Sequence, residues 1–262
     1  MTRIIGIGGG ELRERETLPL DRAIVSAASC DRPKVLFIPT ASADSYKYWE
    51  AFRELYGQEL NCQTDVLFLI RENPQPKTIL KKIEWANIIY VGGGNSRLML
   101  TTFKQLKVDK ILYKAGKQGK ILSGISAGAI CWFRYGNSDA PLLENCTSSL
   151  GCTTRVDGLD LVNATLCPHM SSEPYRWQEL PDMMQDTPGV CIALDDHCAI
   201  DIFGENYRII GTRTEVAAHK VYWRNNKIHK EVLPATVLSN TEFRFGVDKG
   251  EGFKPLKELL GN

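Results

Sequence analysis

Residues 120–129 read Lys120-Ile121-Leu122-Ser123-Gly124-Ile125-Ser126-Ala127-Gly128-Ala129 and contain the pattern that decides the fold. The first residues favour a short buried strand, and Gly124, Ser126 and Gly128 match G-x-S-x-G where a helix can begin. A sharp strand-to-helix turn of this kind exposes the serine hydroxyl at the carboxyl edge of a sheet. The stretch therefore predicts an α/β protein with Ser126 as the candidate nucleophile.

Short apolar runs alternate with amphipathic segments on the amino-terminal side of this stretch and directly after it. The predicted strands are 3–8, 34–39, 64–69, 88–91 and 120–123, and the predicted helices are 18–28, 45–56, 77–85 and 97–118. Alternation at this spacing predicts βαβ units and a mostly parallel sheet with helices on both faces.

The pattern changes after about residue 185, where short strand candidates follow one another with little helix between them. They are 190–194, 198–203, 207–211 and 220–223. This run predicts an antiparallel extension at the edge of the sheet. Because no linker rich in Pro, Gly or Ser interrupts the chain, we expect a single domain over residues 1–262.

Composition excludes several classes of function. The 32 Lys and Arg residues balance 31 Asp and Glu residues, so the chain lacks the overall basic field of a nucleic-acid-binding protein. Apolar runs are too short for a membrane-spanning helix, and the first residues do not resemble a signal peptide. The eight cysteines are scattered, several inside apolar runs, which favours buried free thiols over a disulfide scaffold. We therefore expect a cytoplasmic protein.

Two further glycine clusters follow predicted strands. The first, Gly6-Ile7-Gly8-Gly9-Gly10-Glu11, has Glu11 where the dinucleotide fingerprint needs a third glycine, so a flexible turn is the favoured interpretation. The second, Val91-Gly92-Gly93-Gly94-Asn95-Ser96, precedes an amphipathic helix. Its glycines would let a backbone N–H approach a ligand, although a tight turn explains them equally well.

A serine nucleophile needs a base, and the chain contains four histidines at positions 169, 197, 219 and 229. Pro168 extends the chain before His169. The candidate carboxylates are at positions 139, 195, 196 and 201. Spacing alone does not select a histidine–carboxylate pair among them.

Three blocks of this sequence, in this order, resemble the dipeptidase E (aspartyl dipeptidase) family of serine peptidases, which are relatives of cyanophycinase. They are Gly92-Gly93-Gly94-Asn95, Gly124-Ile125-Ser126-Ala127-Gly128-Ala129 and Cys167-Pro168-His169. The resemblance extends over roughly residues 85 to 211, and Gly8-Gly9-Gly10 is compatible with it. It implies a class I glutamine-amidotransferase-like fold and a peptidase that uses no metal or organic cofactor.

The resemblance also implies roles for individual residues. Ser126 would be the nucleophile and His169 its general base, and the backbone N–H groups of Gly94 and Ala127 would form the oxyanion hole. Asp139 lies near the acidic member of the family's triad, with Asp196 as the reserve.

The family includes enzymes that cleave dipeptides with an N-terminal aspartate, a substrate that calls for a cation near the site. Arg176 falls in a comparable stretch after His169, and a solvated charge on a helix is the alternative interpretation. The expected partner is a small peptide substrate, with neither nucleic acid nor membrane, and the expected assembly is a monomer or homodimer.

Two other functions remain open at this point. An α/β-hydrolase esterase would use Ser126 with the chain order serine, Asp196 or Asp201, and then His219 or His229. A non-catalytic protein could instead use the serine turn and the glycine turn to hold a small anion.

Overall fold

The computed structural model describes residues 1–140, 153–238 and 252–261. The strands are β1 (Arg3–Ile7), β2 (Lys34–Ile38), β3 (Gln63–Val66), β4 (Ile88–Val91), β5 (Ile121–Ile125), β6 (Phe133–Ser138), β7 (Thr154–Asp157), β8 (Val162–Cys167), β9 (Val190–Leu194), β10 (Cys198–Phe203), β11 (Asn206–Gly211), β12 (Ala217–Arg224), β13 (Lys227–Pro234), β14 (Thr236–Val237) and β15 (Lys254–Pro255). The helices are α1 (Leu18–Ser26), α2 (Tyr46–Phe52), α3 (Pro76–Trp85), α4 (Ser96–Gln105), α5 (Val108–Lys117), α6 (Ala127–Ile130), α7 (Arg176–Gln185) and α8 (Leu256–Leu260), with a 3₁₀ turn at Thr40–Ser42 and a π-helical segment at Arg53–Glu59.

The larger sheet has a parallel centre with the strand order β1-β5-β4-β2-β3. Strand β10 pairs antiparallel with β1, and β11 pairs antiparallel with β10, so the later strands do extend this sheet. The short strands β14 and β15 both pair with β11. The predicted α/β class and mostly parallel sheet are confirmed.

Helices cover both faces of this sheet because successive strand residues point to opposite sides. Ile4, Leu36 and Ile89 pack in a cluster with side chains of α3, α4 and α5. Their neighbours Ile5 and Phe37 pack instead in a second cluster with side chains of α1, α2 and the π-helical segment. Strands buried on two faces read as continuous apolar runs, which is why the sequence revealed them.

A second sheet, with the order β13-β12-β9-β8-β6-β7, was not predicted. Strand β8 runs parallel to β6 and β9, and the other pairs are antiparallel. The expectation that all strands after residue 185 extend one sheet is therefore wrong for β9 and β12. Strands β9 and β10 are consecutive in the chain but lie in different sheets, a crossing that the apolar pattern of each strand does not reveal.

Five strand ends provide the backbone of the candidate site. Strands β1, β4 and β5 end at the same edge of the larger sheet, since they are parallel members of it. Strands β8 and β9 are parallel neighbours in the second sheet and likewise end side by side. The segments that follow these five ends are the three glycine-containing turns, the His169 turn and the turn at residues 195–197.

The cysteine expectation is largely confirmed within the described ranges. The residues Cys62, Cys131, Cys167, Cys191 and Cys198 are buried free thiols. Cys30 is exposed, contrary to the prediction. Cys146 and Cys152 lie outside the described residues. Among the helices of the described ranges, none has the length and apolar character needed to cross a bilayer.

Candidate active site

Ser126 occupies a strained turn between β5 and α6. Its backbone has φ 54° and ψ −118°, a conformation that is costly for a residue with a side chain. A Cβ atom at position 124 would lie 2.3 Å from the carbonyl oxygen of Gly128, and one at position 128 would lie 2.0 Å from that of Val91. The turn is therefore tight enough to require both glycines of the G-x-S-x-G pattern, and it presents Ser126 at the edge of the sheet.

His169 lies directly opposite this serine. It follows β8 in a turn with φ 59°, and the next N–H, that of Met170, donates to the carbonyl oxygen of Leu194 at 3.0 Å. This bond ties the turn to the end of β9. The imidazole Nε2 is 2.8 Å from Ser126 Oγ, which is hydrogen-bonding distance for transfer of the hydroxyl proton.

Asp196, the reserve acid of the sequence analysis, completes the line of side chains. Its Oδ1 is 2.7 Å from His169 Nδ1. Ser171 Oγ donates to Oδ2 of the same carboxylate at 3.0 Å and accepts the Asp196 N–H at 3.0 Å. Burial alone would raise the pKa of Asp196, but hydrogen bonds from His169, Ser172 and Ser171 outweigh it and hold that pKa well below its usual value. The carboxylate is therefore ionised beside the imidazole.

Gly9 contributes to this arrangement through its lack of a side chain. A Cβ atom at position 9 would lie 1.8 Å from Asp196 Oδ1 and 2.4 Å from His169 Nδ1. The Gly9 carbonyl oxygen also accepts the N–H of His197 at 2.9 Å. The first glycine cluster, interpreted from sequence as a flexible turn, thus packs against the imidazole–carboxylate pair.

Asp139, the first-choice acid of the sequence analysis, does not occupy this position. It follows β6, and its Oδ1 is 3.8 Å from Nη2 of Arg176. The ends of β6 and β9 flank the end of β8 on opposite sides. The bond from Met170 to Leu194 and the two Ser171 bonds turn the His169 segment toward the β9 side, where Asp196 lies.

Arg176, the possible substrate cation of the sequence analysis, is buried away from Ser126. Its side chain is 1% exposed. Its Nε donates to Glu173 Oε2 at 2.6 Å, and its Nη1 donates to both the carbonyl oxygen and Oδ1 of Asn137. The guanidinium therefore joins the start of α7 to the end of β6, and Arg176 does not line the cavity that contains Ser126.

Three other candidates from the sequence, one carboxylate and two histidines, have partners away from Ser126. Asp201 is buried between the guanidinium groups of Arg3 and Arg208. His219 packs edge-on against Trp177, and His229 stacks on Tyr222. The residues that an α/β-hydrolase arrangement would add to Ser126 are thus engaged elsewhere, Asp196 excepted.

A cavity of about 360 Å³ opens beside Ser126. Its lining residues are Gly10, Glu11, Leu12, Arg13, Ser45, Tyr48, Gly93, Gly94, Ile125, Ser126 and His169. Gly94 is therefore in the cavity wall, and Ala127 follows Ser126 as the first residue of α6, where an N–H has no partner in the helix's own ladder. The part of the chain that the structure describes contains no group of three or more His, Cys, Asp or Glu side chains that could hold a metal ion.

Gly9, Ser171 and Tyr48 were not identified as site residues from the sequence. The Gly8-Gly9-Gly10 block marked a strand end, and three successive glycines at that place could have indicated a close approach of other groups. Ser171 and Tyr48 carried no signal of this kind, because neither belongs to a pattern with known chemistry.

Comparison with known proteins gives consistent matches. The sequence profile of peptidase family S51 matches residues 4–210. The chain is 31% identical over 242 residues to the uncharacterized peptidase YgaJ of Bacillus subtilis (strain 168), covering 91% of this chain and 100% of YgaJ. It is 29% identical over 150 residues to the uncharacterized peptidase Lmo0363 of Listeria monocytogenes, covering 54% of this chain and 68% of that protein. A solved peptidase from an acI-B1 Actinobacterium shares the fold with a TM-score of 0.66 at 18% identity, covering 90% of this chain and 95% of that one.

Proposed function

The chain belongs to peptidase family S51, and from that premise we propose that it is a serine peptidase that hydrolyses short peptides through an acyl-enzyme on Ser126. The observation that carries the proposal is the continuous line from Ser126 Oγ to His169 Nε2 and from His169 Nδ1 to Asp196 Oδ1, with distances of 2.8 and 2.7 Å. A serine, a base and an orienting acid in this order form the arrangement that activates a hydroxyl for acyl transfer.

In the first half-reaction, His169 accepts the Ser126 proton at Nε2 while Oγ attacks the scissile carbonyl carbon. The carbonyl oxygen becomes an oxyanion, and the N–H groups of Gly94 and Ala127 donate to it. His169 then gives its proton to the leaving amine as the peptide bond breaks. Asp196, held ionised, keeps the Nδ1 proton of the imidazole in place and stabilises the imidazolium.

In the second half-reaction, a water molecule replaces the amine. His169 removes a proton from this water as its oxygen attacks the acyl carbon, and the proton returns to Ser126 Oγ when the ester bond breaks. No step requires a metal or an organic cofactor.

The cavity supports short peptides as the substrate class. Its charged lining side chains are Glu11 and Arg13. A carboxylate and a guanidinium in one small cavity suit the free ammonium and carboxylate groups that lie close together in a dipeptide. Arg13 is also the cation in this cavity wall that could pair with an aspartate side chain, a role that the buried Arg176 does not fill.

The test is mass spectrometry after treatment with a fluorophosphonate, combined with a dipeptide panel that includes Asp-X and Ala-X members. We expect labelling confined to Ser126 and lost in Ser126→Ala, labelling strongly slowed in His169→Ala, and turnover of a subset of the panel. No labelling of the folded wild-type protein would favour the anion-binding alternative. Full-rate labelling after loss of His169, but not after loss of His219 or His229, would favour the esterase arrangement.

A further inference from the structure

Tyr48 is a rigidly held side chain in the wall of the candidate active-site cavity. It lies in the first turn of α2, where its N–H donates to the N-cap Ser45 Oγ at 3.3 Å. Its ring meets that of Phe37 edge-on, with the ring centroids 5.0 Å apart. Fixed at both the backbone and the ring, the side chain has one direction in which its hydroxyl can point.

That hydroxyl reaches the glycine turn after β4. Tyr48 Oη accepts the N–H of Gly93 in a long hydrogen bond of 3.4 Å. In the described part of the chain, the Tyr48 hydroxyl proton has no acceptor. The group is therefore a donor without a protein partner in the described ranges, on a residue that lines the cavity.

The residues around Gly93 indicate which acceptor the Tyr48 hydroxyl could bind. A Cβ atom at position 93 would lie 3.4 Å from both Ser126 Cβ and the carbonyl oxygen of Ile125. Gly93 therefore packs directly against the nucleophile, and Gly94, the proposed oxyanion donor, is the next residue. The Tyr48 hydroxyl is thus hydrogen-bonded to the residue that packs against the nucleophile and precedes the proposed oxyanion donor.

The state of the hydroxyl also suits donation. Burial raises the pKa of Tyr48 above its usual value, so the group keeps its proton throughout the range in which a peptidase works. A neutral donor removed from water stabilises an oxyanion more strongly than the same donor in water.

We propose that the Tyr48 hydroxyl is a third hydrogen-bond donor to the oxyanion, beside the backbone N–H groups of Gly94 and Ala127. The inference rests on the proposed function, because it assigns a catalytic residue to the same reaction. As negative charge develops on the carbonyl oxygen, the Tyr48 O–H donates a hydrogen bond to it, and the proton stays on Tyr48.

The test compares Tyr48→Phe with Tyr46→Phe. The first variant keeps the ring against Phe37 and removes only the hydroxyl, and the second removes an exposed hydroxyl from the same helix. Phosphonylation of Ser126 also develops charge on an oxygen in the oxyanion hole. Because loss of one oxyanion donor typically costs about 10²–10³ in rate, we expect Tyr48→Phe to slow fluorophosphonate labelling and lower kcat by about 10²-fold. Tyr46→Phe should match the wild type. Tyr48→Phe also loses the long bond from the Gly93 N–H, so it should remain folded with at most a small drop in melting temperature.

A second measurement separates this role from ordinary substrate binding. In a Ser126→Ala background no oxyanion forms, so Tyr48→Phe should leave the affinity for an unhydrolysed dipeptide unchanged. Wild-type labelling and turnover rates in Tyr48→Phe, or an equal loss of dipeptide affinity in the Ser126→Ala background, would overturn the proposal. If the wild-type protein is neither labelled nor active, the proposed function itself is wrong, and this inference is wrong with it. That outcome can be told apart from failure of the inference alone, because it is seen in the wild type and needs no substitution at Tyr48.

Discussion

A Cβ atom at Gly9 would lie 1.8 Å from Oδ1 of Asp196, so the turn after β1 packs against the carboxylate that is hydrogen-bonded to His169. This contact connects the end of β1, in the larger sheet, to the turn between β9 and β10, which follows a strand of the second sheet. The Gly9 carbonyl reinforces it by accepting the N–H of His197. The geometry of the proposed triad therefore depends on a residue that has no chemistry of its own.

Gly9→Ala should abolish most activity while the protein remains folded. The added methyl group must displace Asp196 or His169, and a displacement of about 1 Å in a catalytic group can cost about 10²-fold in rate. Measurement of kcat/KM and of labelling at Ser126 tests this. Gly57→Ala is the control, because its nearest contact is the end of a Thr64 side chain at 3.3 Å. Wild-type activity in Gly9→Ala would show that the pair does not occupy the described positions during catalysis.

Asp196→Asn should lower kcat by about 10⁴-fold, as expected when the imidazole loses the acid that fixes its tautomer. Asp139→Asn should change kcat by less than about threefold, since the Asp139 carboxylate lies beside Arg176 and away from His169. The two variants exchange the same groups, so their steady-state kinetics can be compared directly. The reverse order of effects would restore Asp139 as the acid.

Ser171→Ala should lower kcat by about tenfold, because a hydrogen bond to a charged group is worth roughly 1.5–3 kcal/mol. The Ser171 hydroxyl both donates to Asp196 Oδ2 and accepts the Asp196 N–H. Ser171→Thr keeps a hydroxyl and should recover much of the activity. A purely structural role would instead lower the melting temperature of Ser171→Ala without a corresponding loss of kcat, and Thr would give no rescue.

Arg176→Met should affect stability, whereas Arg13→Gln should affect substrate specificity. Loss of Arg176 removes the cation paired with Glu173 and the donor to the buried Asn137 carbonyl and Oδ1, so it should destabilise the fold by about 3–5 kcal/mol. In Arg176→Met, the ratio of kcat/KM for Asp-X dipeptides to that for Ala-X dipeptides should equal the wild-type ratio. Arg13→Gln should leave unfolding unchanged and alter that ratio. If Arg176→Met changes the ratio in a folded protein, Arg176 contacts substrate after all.

Asp21 should make stability depend on pH. It is fully buried, and burial raises its pKa from 3.8 to about 7, although hydrogen bonds from Tyr56 and Thr17 act in the opposite direction. Between about pH 4, the unfolded pKa, and pH 7 the folded state binds more protons than the unfolded state, so the free energy of unfolding falls as pH rises.

Asp21→Asn should remove this dependence, and the change is measured by denaturant titrations at pH 5 and pH 8. Each pKa unit corresponds to about 1.4 kcal/mol, so the difference between wild type and variant should shift by roughly 2–4 kcal/mol over the full range. Asp160→Asn, at an exposed carboxylate, serves as the control and should keep the wild-type slope. A parallel pH dependence in wild type and Asp21→Asn would contradict the prediction.

The amino-acid pattern alone predicted the strands of the parallel centre, the helical segments around them and the candidate nucleophile, although the predicted helix 97–118 is two helices, α4 and α5. Each of these rests on a local rule. Buried parallel strands are continuous apolar runs, helices have their own period, and the turn at Ser126 requires small residues at fixed positions on either side. His169 was added by resemblance. None of these assignments depends on which strands are neighbours.

Three features required the three-dimensional structure: which acid is hydrogen-bonded to His169, whether Arg176 lines the cavity, and to which sheet each strand after residue 185 belongs. Asp139 and Asp196 follow strands on opposite sides of β8, so both were plausible from the sequence. The bonds that turn the His169 segment toward β9 form between residues distant in the chain. Strand order and such long-range hydrogen bonds depend on how whole elements pack, and no local pattern of residues encodes them.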